Sequence, residues 1–190
     1  MIDINFCLEK RKNLNKDIQL ELIEKMHLIS SELVECFKNG GKVLTCGNGG
    51  SAANAQHITG DLVGRFKVER KGFPSITLSM DNCAVTAISN DYDYKDLFSK
   101  EIVALGRQED ILICLSSSSN SENIVRAAKT ATELGIKTIG ILGNEGGKIA
   151  EHINHALIVP CKDTDLYEEF AIMLIHIIIE ETENILCNIN

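Results

Sequence analysis

Lys42-Val43-Leu44-Thr45-Cys46-Gly47-Asn48-Gly49-Gly50-Ser51-Ala52-Ala53-Asn54-Ala55-Gln56-His57 decides the fold. An apolar β-run, 42–46, passes through a glycine-rich, hydroxyl-bearing turn into a helix. Glycines let backbone N–H groups approach a ligand closely, and a helix start adds partial positive charge, so the turn is suited to an anion such as phosphate. A second turn of the same kind follows Ile111-Leu112-Ile113-Cys114-Leu115, where Ser116-Ser117-Ser118-Ser119-Asn120-Ser121 leads into another helix. In open α/β sheets, ligands bind beyond the carboxyl ends of the strands, where strand order reverses. The two turns are therefore expected to line one pocket from two sides.

Outward from this stretch, Leu20, Leu22, Ile23, Met26, Ile29, Leu33 and Phe37 recur at three- and four-residue steps, predicting helix over about 6–38 with Gly40-Gly41 as its stop. Strands are expected at 42–46, 74–79, 111–115, 137–142 and 156–159. Helices alternate with them at 51–62, 81–89, 95–106, 121–134, 147–152 and 164–187. That alternation implies a parallel sheet with helices on both faces. The expected organisation is a single domain, with 1–40 as an N-terminal helical arm and 41–190 as the α/β core. The last helix is apolar on most sides from Phe170 to Ile179, which calls for burial against a partner subunit, with Ile172, Ile175 and Ile179 at the contact.

Composition excludes several classes. No apolar run reaches the ~18 residues of a membrane span, and the first residues lack the basic and apolar regions of a secretion signal, so a cytoplasmic protein is expected. The seven cysteines are scattered, without a C-x-x-C pair, which argues against a disulfide framework or a cysteine-rich zinc site; Cys46 and Cys114 read as small core residues. A net charge of −8 argues against a nucleic-acid partner. The densest basic cluster, Arg65, Lys67, Arg70 and Lys71, reads as a solvated loop, or as a loop from which Arg65 contacts an anionic substrate.

Gly47, Gly49 and Ala52 also fit the loose dinucleotide pattern G-x-G-x-x-A. That reading needs an acid at the end of the next strand, and Glu69 has the distance but precedes the 74–79 strand. Serine hydroxyls with helix amides suit a terminal phosphate monoester better. Within the serine run, Ser119 and Glu122 have the spacing of a capping box, which accounts for only one of the hydroxyls. His57 and Asp61, at i and i+4, project from one helix face; Glu168 and His176, two turns apart, share another. Together they read as a metal site or an acid/base pair. The bland alternatives are a core histidine bonded to a carbonyl and, for Glu168, the third residue of a cap led by Asp165.

The chain resembles the phosphoheptose isomerases of the sugar isomerase (SIS) domain superfamily over almost its whole length. Four ordered motifs carry the likeness: 46–57, Ala87-Ile88-Ser89-Asn90-Asp91-Tyr92, 116–121, and the closing helix through His176. The resemblance implies a five-stranded parallel sheet in a flavodoxin-like three-layer α/β fold, assembled as a homotetramer with active sites between subunits. It implies that Ser51, Ser116, Ser117, Ser118 and Ser121 hold the phosphate of a sugar phosphate, and that Asn48, Gly49, Gly50, Arg65, Asn90, Asp91, Asp61 and Glu168 contact the substrate. Asp61 and His176 become the catalytic pair, and His57, Asp61, Glu168 and His176 the ligands of a zinc ion.

Asp61 stands where the family has Glu, and Glu168 where it has Gln; Leu166, Ala171, Ser119 and Asn54 replace an Arg, a His, a Gly and an Asp. The activity implied is aldose–ketose isomerisation of sedoheptulose 7-phosphate to D-glycero-D-manno-heptose 7-phosphate for surface-polysaccharide precursors. The alternatives are an isomerase of a different phosphorylated sugar and a non-catalytic sugar-phosphate-binding regulator, a role taken by one superfamily member that has lost the site acids.

Overall fold

The computed structural model describes residues 3–16 and 20–188. Helices α1 (Ile4–Lys16) and α2 (Leu20–Lys38) precede an alternation of β1 (Val43–Cys46), α3 (Gly50–Val63), β2 (Ser75–Thr77), α4 (Asn82–Asp91), α5 (Leu97–Leu105), β3 (Ile111–Ser116), α6 (Glu122–Glu133), β4 (Lys137–Leu142), β5 (His155–Ile158) and α7 (Thr164–Cys187). The five strands form one parallel sheet in the order β2-β1-β3-β4-β5. Chain order reverses between β1 and β3, where Cys46 stands beside Cys114. The ligand crevice of a doubly wound sheet lies at that position.

Consecutive apolar residues on the strands serve both faces because side chains alternate. Val43, Ile111, Ile113, Leu115, Ile139, Ile141 and Leu157 point into a core shared with α2, α3 and α7. Leu44, Cys46, Leu112, Cys114 and Leu142 point into a second core against α5 and α6. On α6 the buried set Ile124, Ala127, Ala128 and Ala131 follows the helical repeat, so a single stripe faces the sheet.

Four expectations are corrected. The helix expected over 6–38 is two helices, with 17–19 outside the described residues. The helix expected at 147–152 is a pair of 3₁₀ turns, Asn144–Gly146 and Ile149–His152: Glu145, Gly146 and Gly147 all take positive φ, which an α-helix excludes. The strand expected at 74–79 stops at Thr77, because Ser79 turns at φ 65° with its N–H held by Glu101. Finally, Ile175 and Ile179 are buried in the chain's own core against α2 and α3, so the surface α7 leaves open is at Ile177 and Ile185. Among the described residues no helix is long and apolar enough to cross a membrane.

Candidate active site

Both hydroxyl-bearing turns lie at the carboxyl ends of adjacent strands, β1 and β3. In the first, Gly49 takes φ 57°. Gly50 faces the Glu168 carboxylate so closely that a Cβ there would lie 2.1 Å from its Oε1, so a larger residue would require the Glu168 side chain to move. In the second, Ser119 takes φ 55° and is fully buried. Its Oγ donates to the Gly143 carbonyl at 2.7 Å and its N–H to Ser116 Oγ at 3.0 Å. The α6 N-cap is therefore Ser121 rather than Ser119, and the capping box is absent, Glu122 pairing instead with Arg126. Neither α3 nor α6 has a side-chain cap, so both present helix-start amides toward the crevice. Ser51 and Ser116 are buried beside them, while Ser117 and Ser121 are half-buried and Ser118 is exposed.

Helices α3 and α7 run side by side in the same direction. Asn54 Nδ2 donates to the Glu168 carbonyl near their starts, and His57, three residues on in α3, meets His176, eight residues on in α7. His57 Nε2, Asp61 Oδ2 and His176 Nε2 form a triangle with sides of 3.1, 3.4 and 3.5 Å. Asp61 Oδ2 is buried and accepts no hydrogen bond, although a buried carboxylate oxygen ordinarily finds a donor. Three donor atoms about 3.3 Å apart are the spacing of a tetrahedral ion with bonds of about 2.0–2.1 Å, and two histidines with one carboxylate leave a fourth position open. The donor set therefore fits a divalent metal. Phe66 stacks on the His176 ring at 5.2 Å.

The remaining expected residues fall at varying distances from this cluster. Glu168 is not in the triangle; it stands two turns up α7, against Gly50, so three rather than four of the expected ligands converge. It is also no part of a cap led by Asp165, since the α7 N-cap is Asp163. The Asn48 side chain is spent within the protein: its amide exchanges two 2.9 Å bonds with Asn123 and accepts a third from the Tyr94 hydroxyl. Asn90 and Asp91 close α4, exposed and bonded to each other. Arg65 is exposed and lies 3.7 Å from Glu69, whose position in a loop before β2 removes the dinucleotide reading. Arg70 is not part of a solvated loop; its side chain is 4% exposed and paired with a fully buried Glu183.

Sequence reasoning missed Asn123, Tyr94, Phe66 and Tyr167. Tyr167 is buried at the first turn of α7, where its hydroxyl donates to the Ile141 carbonyl at 2.5 Å, and burial pushes its phenol well up. Its adjacency to Glu168 was the available signal. Leu166 and Ala171, at the positions where an Arg and a His were expected, are buried.

The SIS domain family model matches residues 8–143. A phosphoheptose isomerase from Helicobacter pylori is 45% identical over 170 residues, covering 90% of this chain and 86% of the relative. The chain belongs to the phosphoheptose isomerase family. Two solved phosphoheptose isomerases share its fold. That from Neisseria gonorrhoeae has a TM-score of 0.89 at 34% identity, covering 95% of this chain and 97% of that one. That from Francisella tularensis has a TM-score of 0.91 at 33% identity, covering 95% and 96%.

Proposed function

We propose that this chain is an aldose–ketose isomerase that converts sedoheptulose 7-phosphate to D-glycero-D-manno-heptose 7-phosphate. The observation that carries the proposal is the unpartnered, buried Asp61 Oδ2 facing His176 Nε2 at 3.4 Å, on the helix that begins at the phosphate-type turn. The reaction moves a proton between C1 and C2 through an enediol, and needs a base at the carbons and an acid at the oxygens. Asp61 offers a carboxylate oxygen that accepts no hydrogen bond, with the two imidazole nitrogens at 3.4 and 3.5 Å, and His176 can carry a proton to or from the adjacent oxygen. Ser51, Ser116, Ser117, Ser118 and Ser121, with the amides of α3 and α6, would hold the phosphate. Ser51 and His57 are six residues apart, roughly 9 Å along α3 at the helical rise, which suits a substrate whose reacting carbons lie at the opposite end from its phosphate.

His57, Asp61 and His176 would hold a zinc ion, while Glu168 stands apart from them against Gly50. When bound, such an ion polarises a substrate oxygen as a Lewis acid. A regulator that merely binds sugar phosphate has no use for a carboxylate oxygen buried without a hydrogen bond between two imidazoles, so this cluster favours catalysis. We further propose a homo-oligomer, a tetramer with sites near subunit contacts: α4 has no buried residue, and Ile4, Phe6 and Leu8 on α1 are exposed apolar side chains. A cytoplasmic location and a role in surface-polysaccharide precursors complete the reading. NMR of the protein with sedoheptulose 7-phosphate in D₂O, with and without zinc, is expected to show heptose 7-phosphate forming together with solvent exchange at C1 or C2. Neither product nor exchange under both conditions would refute it.

A further inference from the structure

The Arg70–Glu183 pair lies beneath the cluster but is absent from the chemistry above. Glu183 is fully buried on α7, seven residues beyond His176. Its carboxylate accepts the N–H groups of Lys67 at 2.8 Å and of Phe66 and Val68 at 3.3 Å, together with Arg70 Nε at 2.6 Å. The Arg70 guanidinium lies over the Phe73 ring at 3.9 Å. It also donates to the carbonyls of Asp61 at 2.9 Å, Leu62 at 3.0 Å and Gly64 at 3.3 Å. Those carbonyls close α3, the helix that carries His57 and Asp61, and a helix end leaves such groups without intrahelical partners. One guanidinium thus holds the backbone of Asp61. One carboxylate, on the same helix as His176, holds the amide of Phe66, whose ring stacks on His176.

We propose that Arg70 and Glu183 are positioning residues for the catalytic cluster: the pair locks the end of α3 to α7 and sets Phe66 on His176, fixing Asp61 and His176 relative to each other. This rests on the isomerase reading above. Burial by itself would raise the Glu183 carboxyl, but the Lys67 N–H and the Arg70 guanidinium outweigh it and hold the group below the usual carboxylate range, so it stays ionised. A buried ion pair is a weak source of net stability, because desolvation offsets much of the attraction. The geometric constraint is the larger effect here. Groups supporting metal ligands typically change metal affinity or activity by about 10- to 100-fold when altered.

The test uses the full-length protein and the variants Glu183→Gln, Phe66→Ala and Glu180→Gln. The last removes only the surface pair between Lys67 and Glu180 and serves as a control. Steady-state kinetics with sedoheptulose 7-phosphate, cobalt(II) titration followed by its visible absorption, and thermal midpoint are measured on each. Glu183→Gln is expected to lower kcat by about 10- to 100-fold and cobalt affinity by about tenfold, with KM within about twofold because the phosphate turns are untouched. Phe66→Ala is expected to lower kcat about tenfold and also to lower the midpoint, because its ring packs against the core, and Glu180→Gln to match the wild type. A Glu183→Gln protein with reduced midpoint but wild-type kcat and cobalt affinity at 25 °C would make the pair merely structural. If that variant does not fold, wild-type kcat and cobalt affinity in Phe66→Ala overturn the proposal on their own. An inactive wild type would defeat the isomerase reading, while the cobalt titration continues to test positioning.

Discussion

Ser119 holds a backbone conformation that favours glycine, φ 55°, inside the turn expected to bind phosphate. A left-handed conformation costs an L-residue roughly 1–2 kcal/mol. Against that, Ser119 Oγ donates at 2.7 Å to the Gly143 carbonyl, a bond worth about 1 kcal/mol net. Ser119→Ala keeps the strain and loses the bond. The Gly143 carbonyl still accepts the Gly146 N–H at 2.9 Å, so it is not orphaned and the loss stays near 1 kcal/mol, or about 2–4 °C in Tm for a chain of this size. Ser119→Gly loses the same bond but relieves the strain, placing it between neutral and about 1 kcal/mol more stable than the wild type. Glycine is therefore expected to exceed alanine by about 1–2 kcal/mol here, the reverse of its usual deficit of about 0.5–1 kcal/mol. Urea denaturation of the three proteins at one fixed concentration measures the order. An alanine variant as stable as the glycine variant, or more so, would refute the reasoning.

Ser118→Ala removes an exposed hydroxyl from the turn proposed to hold the phosphate. The variant should bind a non-reactive sugar phosphate about 10- to 100-fold more weakly by calorimetry, corresponding to the roughly 1.5–3 kcal/mol of a hydrogen bond to a charged group, and unchanged affinity would displace the pocket. Because the Glu183 carboxyl is held below its ordinary range in the folded chain, its contribution to stability is complete above the unfolded carboxylate pKa and is lost as pH falls through the lower folded value. Urea midpoints in mildly to strongly acidic buffers should accordingly fall less steeply for Glu183→Gln than for the wild type. Metal retention should also weaken on acidification, since protons compete for the imidazole and carboxylate lone pairs of His57, Asp61 and His176; cobalt absorbance that holds constant through acid titration would count against the site. Light scattering at micromolar concentration should find an oligomer, and a monodisperse monomer would leave the exposed apolar residues of α1 without the proposed partner.

The central strands β1, β3 and β4 were legible because the information is local: each is a mostly apolar run that ends at or beside a glycine or serine, and a strand buried on both faces needs little more. The first turn was local in part: glycine at 49 answers to a positive φ, whereas the close approach of Glu168 to Gly50 is made only by the packing of α7. His57 and Asp61 could be paired from their i, i+4 spacing, and their meeting with His176, 119 positions from His57, was one reading of the residues that the resemblance made specific. The apolar length of α7 was read correctly as demanding burial, yet sequence could not say that α2 and α3 supply it. Hydrophobicity states that a face must be covered and not by what.

Polar pairings were the least legible. Asn48 is an amide that could serve a ligand or Asn123, and Arg70 could be solvated or bound to Glu183, 113 positions away; side-chain chemistry allows both. The sequence alone therefore determined the strand-turn-helix alternation, the anion-type turns and the His57–Asp61 pair of the three-membered cluster, all set by neighbours along the chain. The folded structure decided which charges are buried, which carboxylate lacks a donor and which three ligands converge, because those depend on distances between segments that only the packing of α3 against α7 fixes.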